Sequence, residues 1–271
     1  MDQVQLTTFQ AVIGAGSFEA AARQLHVTPS AVSQRIKALE SAVGQVLVRR
    51  AKPCVATPAG QALVRFAGQV ELLEREALAQ ARDGARVSIV VNADSLDTWF
   101  LPALAAVPGP SYELHTDDQD YTADLLRSGT AMAAVTAEHV AVQGCRLESL
   151  GAMRYLPVGR GDLSAPMIVY NRKDRIQHRF LESLGRDADM PIHYVPAAAA
   201  FVEAIRLGLG WGLVPEQIAG ADIAAGRYAD LTPGRFLDVP LYWQYWKIES
   251  AVLTDLTAAV RRAAAAALRT S

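Results

Sequence analysis

The sequence predicts an all-α N-terminal module closed by a short β-hairpin, then one long helix, then an α/β body of two lobes. Three observations predict it. Between Ser17 and Gly44, two segments carry apolar residues at helical spacing around a tight turn. From Leu63 to Ala77 the apolar residues alternate at three and four, a heptad seam. Beyond residue 84, short apolar runs alternate with helical patterns, as parallel sheets require.

In the N-terminal module, Phe18, Ala21, Ala22 and Leu25 form one apolar stripe, with Ser17 as N-cap and Glu19 in the first turn. His26 and Val27 make the turn. Thr28 caps the next helix and Pro29 takes its first position, where a missing N–H costs nothing. Val32, Ile36, Leu39 and Val43 point inward. Ser30, Ser33, Gln34 and Lys37 point away, flanked by Arg35. Short hydroxyl, amide and basic side chains near a helix N-terminus suit base edges and phosphates of a major groove. The pair therefore reads as a DNA-binding helix-turn-helix.

The motifs carry a family resemblance. Gly16-Ser17-Phe18, Ala21-Ala22 and Leu25 precede Ser30-Ala31-Val32-Ser33, Ile36, Leu39-Glu40 and Gly44. Leu47 to Arg50 supply a first wing strand, and Thr57, Pro58, Ala59 and Gly60 close the wing. This pattern resembles the LysR-type transcriptional regulators, and it implies a winged helix-turn-helix over residues 1–58. Double-stranded promoter DNA is the implied partner, met by Thr28, Pro29, Ser30, Ser33, Gln34, Arg35, Lys37, Arg49, Arg50 and Lys52.

Charge agrees. Residues 1–60 hold six Lys or Arg against three Asp or Glu, although the whole chain nets −2. A basic head on an acidic body suits a DNA reader whose larger part has another task.

From residue 59 to 83 the pattern is one helix, with Leu63, Phe66, Val70 and Leu73 along its seam. The resemblance implies that this helix pairs with a second copy, giving a homodimer or homotetramer. Two modules would then span half-sites roughly 34 Å or a multiple apart. Asp83, Gly84 and Ala85 read as the hinge to a body over residues 84–271.

In the body, strands are expected at Val87–Asn92, Tyr112–Thr116 and Ala133–Thr136, with helices at Leu96–Ala106 and Tyr121–Ser128 between them. A second set follows: strands Met167–Tyr170, Ile192–Val195 and Gly212–Val214, and helices Arg175–Leu184 and Ala199–Leu207. Leu156–Arg160 and Leu241–Trp246 cross between the sets, and helix Ser250–Arg269 returns to the first. The expected lobes are about 86–160 with 241–271, and about 161–240. This form resembles periplasmic binding proteins, and in LysR-type regulators it senses small molecules.

Ligands of open α/β folds bind beyond the carboxyl ends of strands. The first such place is Asn92 to Trp99, with Ser95 read as a helix cap that meets a ligand carboxylate. The second is Thr116-Asp117-Asp118-Gln119-Asp120, a dense acidic cluster. Two acidic strand ends point to a cationic ligand.

A narrower resemblance covers nearly the whole chain. Val91 to Leu104, Leu231 to Phe236, Leu241 to Trp243 and the wing segment Gly44 to Pro53 are similar to the ArgP/LysG branch. That branch senses lysine or arginine and activates a basic amino-acid exporter gene. It implies Ser95 and backbone amides for the effector carboxylate, and Asp97 or Asp118 for its cationic groups. Asn92, Asp94 and Thr136 complete the candidate set. The chain departs at Ala197 to Ala200, where related proteins carry a polar Ser-Ser-acidic cap. Another metabolite effector, or a ligand-independent architectural DNA binder, therefore stays open.

No nucleophile elbow, metalloprotease motif or P-loop occurs in the sequence, so no enzyme activity, metal or cofactor is expected. Cys54 and Cys145 follow no metal or redox spacing and are expected to be free thiols. No signal peptide or membrane span is recognised, so the expectation is a cytoplasmic protein, with RNA polymerase as an open candidate partner.

Overall fold

The computed structural model describes residues 1–79, 86–116 and 124–270. The expected hinge Asp83 to Ala85 and the acidic run Asp117 to Asp120 lie outside the described residues.

Local signals set the N-terminal helices. Gln3–Ala15 starts on a capping box, in which the Asp2 carboxylate accepts from Gln5 N–H at 2.8 Å and the Gln5 side-chain carbonyl accepts from Asp2 N–H at 3.1 Å. Phe18–Gln24 is capped by Ser17, which accepts from Ala20 N–H at 3.1 Å. His26 makes the turn in the left-handed region, at φ 54°. Pro29–Val43 is capped by Thr28 and stopped by left-handed Gly44. Phe9, Val12, Ala21, Val32, Ile36, Leu39 and Leu47 form the buried centre of the module. Each large apolar side chain buried there contributes about 1.5–3 kcal/mol.

The expected wing is present. β1 (Val48–Arg49) pairs antiparallel with β2 (Val55–Ala56). The long helix, Pro58–Ala79, follows at once. It has two apolar faces. Val64, Ala67 and Leu72 are buried, and Gly68 lies so near the body that a Cβ there would stand 2.8 Å from the Trp246 ring. The other face leaves Phe66 and Leu73 each 42% exposed, with Leu63 and Val70 half-buried between the two.

In the body, β3 (Arg86–Val90) pairs parallel with β4 (Ser111–His115) and with β5 (Ala133–Thr136), as the alternating pattern predicts. The remaining sheet corrects the expectation of two separate parallel sets. β6 (Cys145–Gly159) runs 15 residues, and β11 (Leu237–Trp246) runs 10. They pair antiparallel along the whole of β11, and β6 continues to pair with β9 (Gly212–Pro215) and β10 (Ala229–Asp230). One seven-stranded sheet thus passes through both lobes. The Arg154 guanidinium, bidentate on Asp238 at 2.8 Å, ties the two long strands together.

The second lobe adds parallel β7 (Met167–Val169) and β8 (Ile192–Tyr194) with helices Ile176–Ser183, Ala198–Arg206 and Glu216–Ala224. The last of these helices is absent from the sequence-based expectation. Helix Ala251–Ala267 returns to the first lobe and covers Trp243, whose indole N–H donates to Thr257 Oγ1 at 3.0 Å. Between β3 and β4 the helical stretch begins at Ala93 rather than Leu96, and it contains a π-helical turn over Leu96–Phe100. Of the expected helix Tyr121–Ser128, the described part is helical over 124–127.

Candidate functional site

Two surfaces concentrate polar chemistry: the head of helix Pro29–Val43 with its wing, and the cleft between the lobes.

On the head, Thr28, Pro29, Ser30, Gln34 and Lys37 are exposed, and Ser33 is half-buried beside them. Arg35 turns back instead: its Nη1 donates to Thr8 Oγ1 of the first helix at 3.4 Å. In the wing, Arg49 and Lys52 are exposed, whereas the Arg50 guanidinium lies 4.6 Å above the Phe18 ring. Glu40 fixes the wing to the helix. Its Oε1 accepts from Leu47 N–H at 2.8 Å and from Val48 N–H at 3.3 Å. The wing's far side is pinned where Cys54 N–H donates to Gly16 O at 2.7 Å. Gly60 is required by proximity, since a Cβ there would sit 2.2 Å from Leu47 O. The helix and the wing therefore form one rigid surface.

The cleft has a volume of about 800 Å³. The first lobe supplies Asn92, Asp94 and Asp97, and β6 supplies Tyr155. The second lobe supplies Asp174, Arg175, Gln177 and Arg179, together with Ala198 and Ala199 at the start of their helix. Of the expected residues, Asn92, Asp94 and Asp97 are brought together on this wall. Ser95 and Thr136 are not. Ser95 is wholly buried, its hydroxyl meets no partner among the described residues, and it caps no helix. The helix starts at Ala93, so Ser95 falls inside it, which overturns the cap reading. Thr136 is buried and accepts from Glu138 N–H at 3.0 Å. Asp118 lies outside the described residues.

Asp94 is the most perturbed carboxyl of the cleft. Burial pushes it up to about 6, with the charges of Asp174 and Asp97 adding to the rise. A hydrogen bond from Tyr155 Oη to Asp94 Oδ2 at 2.7 Å opposes that rise. The Tyr155 phenol is held well above its ordinary value, first by burial and then by the Asp94 charge. Across the cleft, Asp174 accepts from Ile176 N–H at 2.9 Å, at the first residue of helix Ile176–Ser183. Gln177, the next residue, is only 2% exposed, and its buried Oε1 has no partner among the described residues. The same holds for Oδ1 of Asn92. Buried acceptors without donors are costly, and a ligand rich in N–H groups would satisfy them. Arg206, at the cleft edge, is already committed to Asp222 and Glu203. Sequence reasoning does not find Tyr155, Asp174 or Gln177.

The family model described as "Bacterial regulatory helix-turn-helix protein, lysR family" matches residues 4–61. Over the full length, the chain is 44% identical to the lysine export transcriptional regulatory protein LysG of Corynebacterium efficiens, covering 100% of both. The chain belongs to the LysR family. Solved LysR-family structures agree along the whole chain. ArgP from Mycobacterium tuberculosis is 44% identical, with a TM-score of 0.90 and 100% of both chains covered. Full-length LysG from Corynebacterium glutamicum with bound effector Arg is 41% identical, with a TM-score of 0.83, covering 99% of this chain and 100% of that one. This LysR-family chain thus has the DNA-reading head and two-lobed body of a transcription regulator of the ArgP/LysG branch. Among the described residues, no helix is long and apolar enough to cross a membrane.

Proposed function

We propose that the cleft binds a basic amino acid, arginine or lysine, and that its occupancy governs how the head engages a promoter such as that of a basic amino-acid exporter. The observation that carries this reading is the half-buried Asp94 carboxyl beside Asp97, on a wall that also holds an unpartnered acceptor at Asn92. A cationic group is the natural occupant of such a wall. The arginine bound to the similar LysG of Corynebacterium glutamicum, and the lysine-export role in the name of the Corynebacterium efficiens relative, support the same class of ligand.

On the head, Thr28, Pro29, Ser30, Ser33, Gln34 and Lys37 are assigned to the major groove, and Arg49 and Lys52 to phosphates. Arg35 and Arg50 support these contacts through Thr8 and Phe18. The exposed Phe66 and Leu73, with Leu63 and Val70, are assigned to pairing of two linker helices. Work on promoter DNA, beside RNA polymerase, sets this protein in the cytoplasm.

Calorimetric titration of the full chain with arginine, lysine and neutral amino acids tests the effector. Heat with arginine or lysine is expected; heat with a neutral amino acid alone would discard the basic-ligand reading. In mobility-shift assays Gln34→Ala should relax operator preference, at about 1–3 kcal/mol per lost base contact, while Arg49→Ala weakens all DNA alike. If Gln34→Ala leaves operator preference intact, the groove assignment is wrong.

A further inference from the structure

We propose that Gln177 is a specificity-determining residue that reads the N–H donors of the effector's cationic end from the second lobe, opposite the carboxylate wall of the first. The proposal rests on the basic amino-acid reading of the same cleft and deepens it.

Gln177 sits at the second position of helix Ile176–Ser183, where exposed polar residues usually abound. Its side chain is instead 2% exposed and lines the cleft. Its Oε1 is buried and lacks a donor among the described residues. A glutamine carbonyl in that state costs the empty protein stability, whereas an apolar residue of similar length would not. Retaining the group makes physical sense if a ligand supplies the missing donor.

The same deficit exists across the cleft. Asn92 Oδ1 is likewise buried without a partner among the described residues, and Asp94 has one oxygen engaged by Tyr155. Asn92 and Gln177 thus line one cavity from opposite lobes, each with an oxygen that lacks a donor among the described residues. A guanidinium offers five N–H donors in a fixed plane, and an ammonium offers three. Either can reach more than one acceptor, so a cationic end can tie the lobes together. A neutral ureido end, as in citrulline, presents a carbonyl where the guanidinium has a donor. Set against the oxygens of Asn92, Asp94 and Gln177, that carbonyl loses the hydrogen bond a guanidinium N–H would make.

The position of Gln177 is held independently of ligand. Asp174 accepts from Ile176 N–H at 2.9 Å and from Tyr170 N–H at 3.2 Å, which anchors the start of the helix. The acceptor is therefore pre-placed, and its contribution to binding is not spent on ordering a loop.

The test compares wild type, Gln177→Met and Gln177→Glu by calorimetry with arginine, lysine and citrulline, alongside melting of the ligand-free full chain. Gln177→Met removes the acceptor at nearly constant volume. It should weaken arginine about 10- to 100-fold, as loss of a charge-assisted hydrogen bond implies, and narrow the preference over citrulline. Its ligand-free melting temperature should hold or rise, because an unsatisfied buried acceptor is gone. Gln177→Glu restores an acceptor and should recover arginine affinity to within a few-fold of wild type. An arginine affinity within twofold of wild type in Gln177→Met would overturn the assignment. So would a lower ligand-free melting temperature with an unchanged preference over citrulline, which marks a structural role. If wild type itself takes up neither arginine nor lysine, the basic amino-acid reading fails, and this inference fails with it.

Discussion

The Asp94 carboxyl should make effector affinity depend on pH in a calculable way. It is raised from 3.8 to about 6, chiefly by burial, with Asp97 and Asp174 facing it as further negative charges and Tyr155 as donor. The sign is fixed by linkage. A carboxyl whose folded pKa exceeds its unfolded one favours the fold below 3.8, and that contribution is lost as pH rises through 6. Ionised Asp94 thus costs the empty protein on the order of 3 kcal/mol at neutral pH, since every tenfold change in proton affinity is worth about 1.4 kcal/mol. A cation bound beside it offsets much of that cost. With a midpoint of about 6, roughly nine-tenths of Asp94 is ionised at pH 7 and one-tenth at pH 5. Arginine keeps its guanidinium charge throughout. Its affinity should therefore fall about tenfold between pH 7 and pH 5, measured by calorimetry on the full chain. Asp94→Asn should flatten that dependence, weaken arginine at pH 7, and raise ligand-free stability there. Equal affinity at pH 5 and pH 7 in the wild type, or an unchanged slope in Asp94→Asn, would refute the reasoning.

Glu40→Ala should destabilise the head by about 1.5–3 kcal/mol in chemical denaturation, because Leu47 and Val48 lose their shared charged acceptor. DNA affinity should drop with it, and an unaltered affinity would free the wing from this anchor. Gly68→Ala sets two effects against each other: about 1 kcal/mol of helix propensity gained, and about 1–3 kcal/mol of overpacking against the buried Trp246 ring. Net destabilisation in thermal melts is expected, and a rise in stability would show that the ring yields. Phe66→Glu with Leu73→Glu should leave the fold of each chain intact, since both side chains are 42% exposed, but abolish self-association in sedimentation. Persistent dimers would move the interface elsewhere.

Much of the head is legible in the sequence because its signals are local. Ser17, Thr28 and Pro29 act within a few residues of themselves, and each appears in its expected role. β5 also falls where expected, at Ala133–Thr136, a short apolar run buried throughout. Most of β6 is hidden, since Arg146, Glu148 and Arg154 interrupt its pattern and its burial does not alternate cleanly. Helix Glu216–Ala224 is masked by Pro215 and Gly220, which read as loop. The cleft is half legible. Asn92, Asp94 and Asp97 follow a strand, and strand ends can be read from sequence. Tyr155 meets Asp94 across 61 residues of chain, and Gln177 reaches the cleft only through the second lobe. Such partners are set by tertiary packing, which periodicity does not encode. Ser95 departs from its expected place for a smaller reason: a helix that begins three residues early turns a capping hydroxyl inward.

β6 and β11 give the cleft a mechanical character. The two lobes share these strands as a continuous ladder of hydrogen bonds, with one register shift between Leu241 and Tyr242. No slack segment joins the lobes along this ladder, so narrowing the cleft means twisting a common sheet. A twisted sheet stores elastic energy and returns it. The cleft thus opens beside strands that are common to both lobes. The far end of β11 is Trp246, seated against Gly68 of the linker helix. The end of β11 therefore packs where the linker helix meets the body.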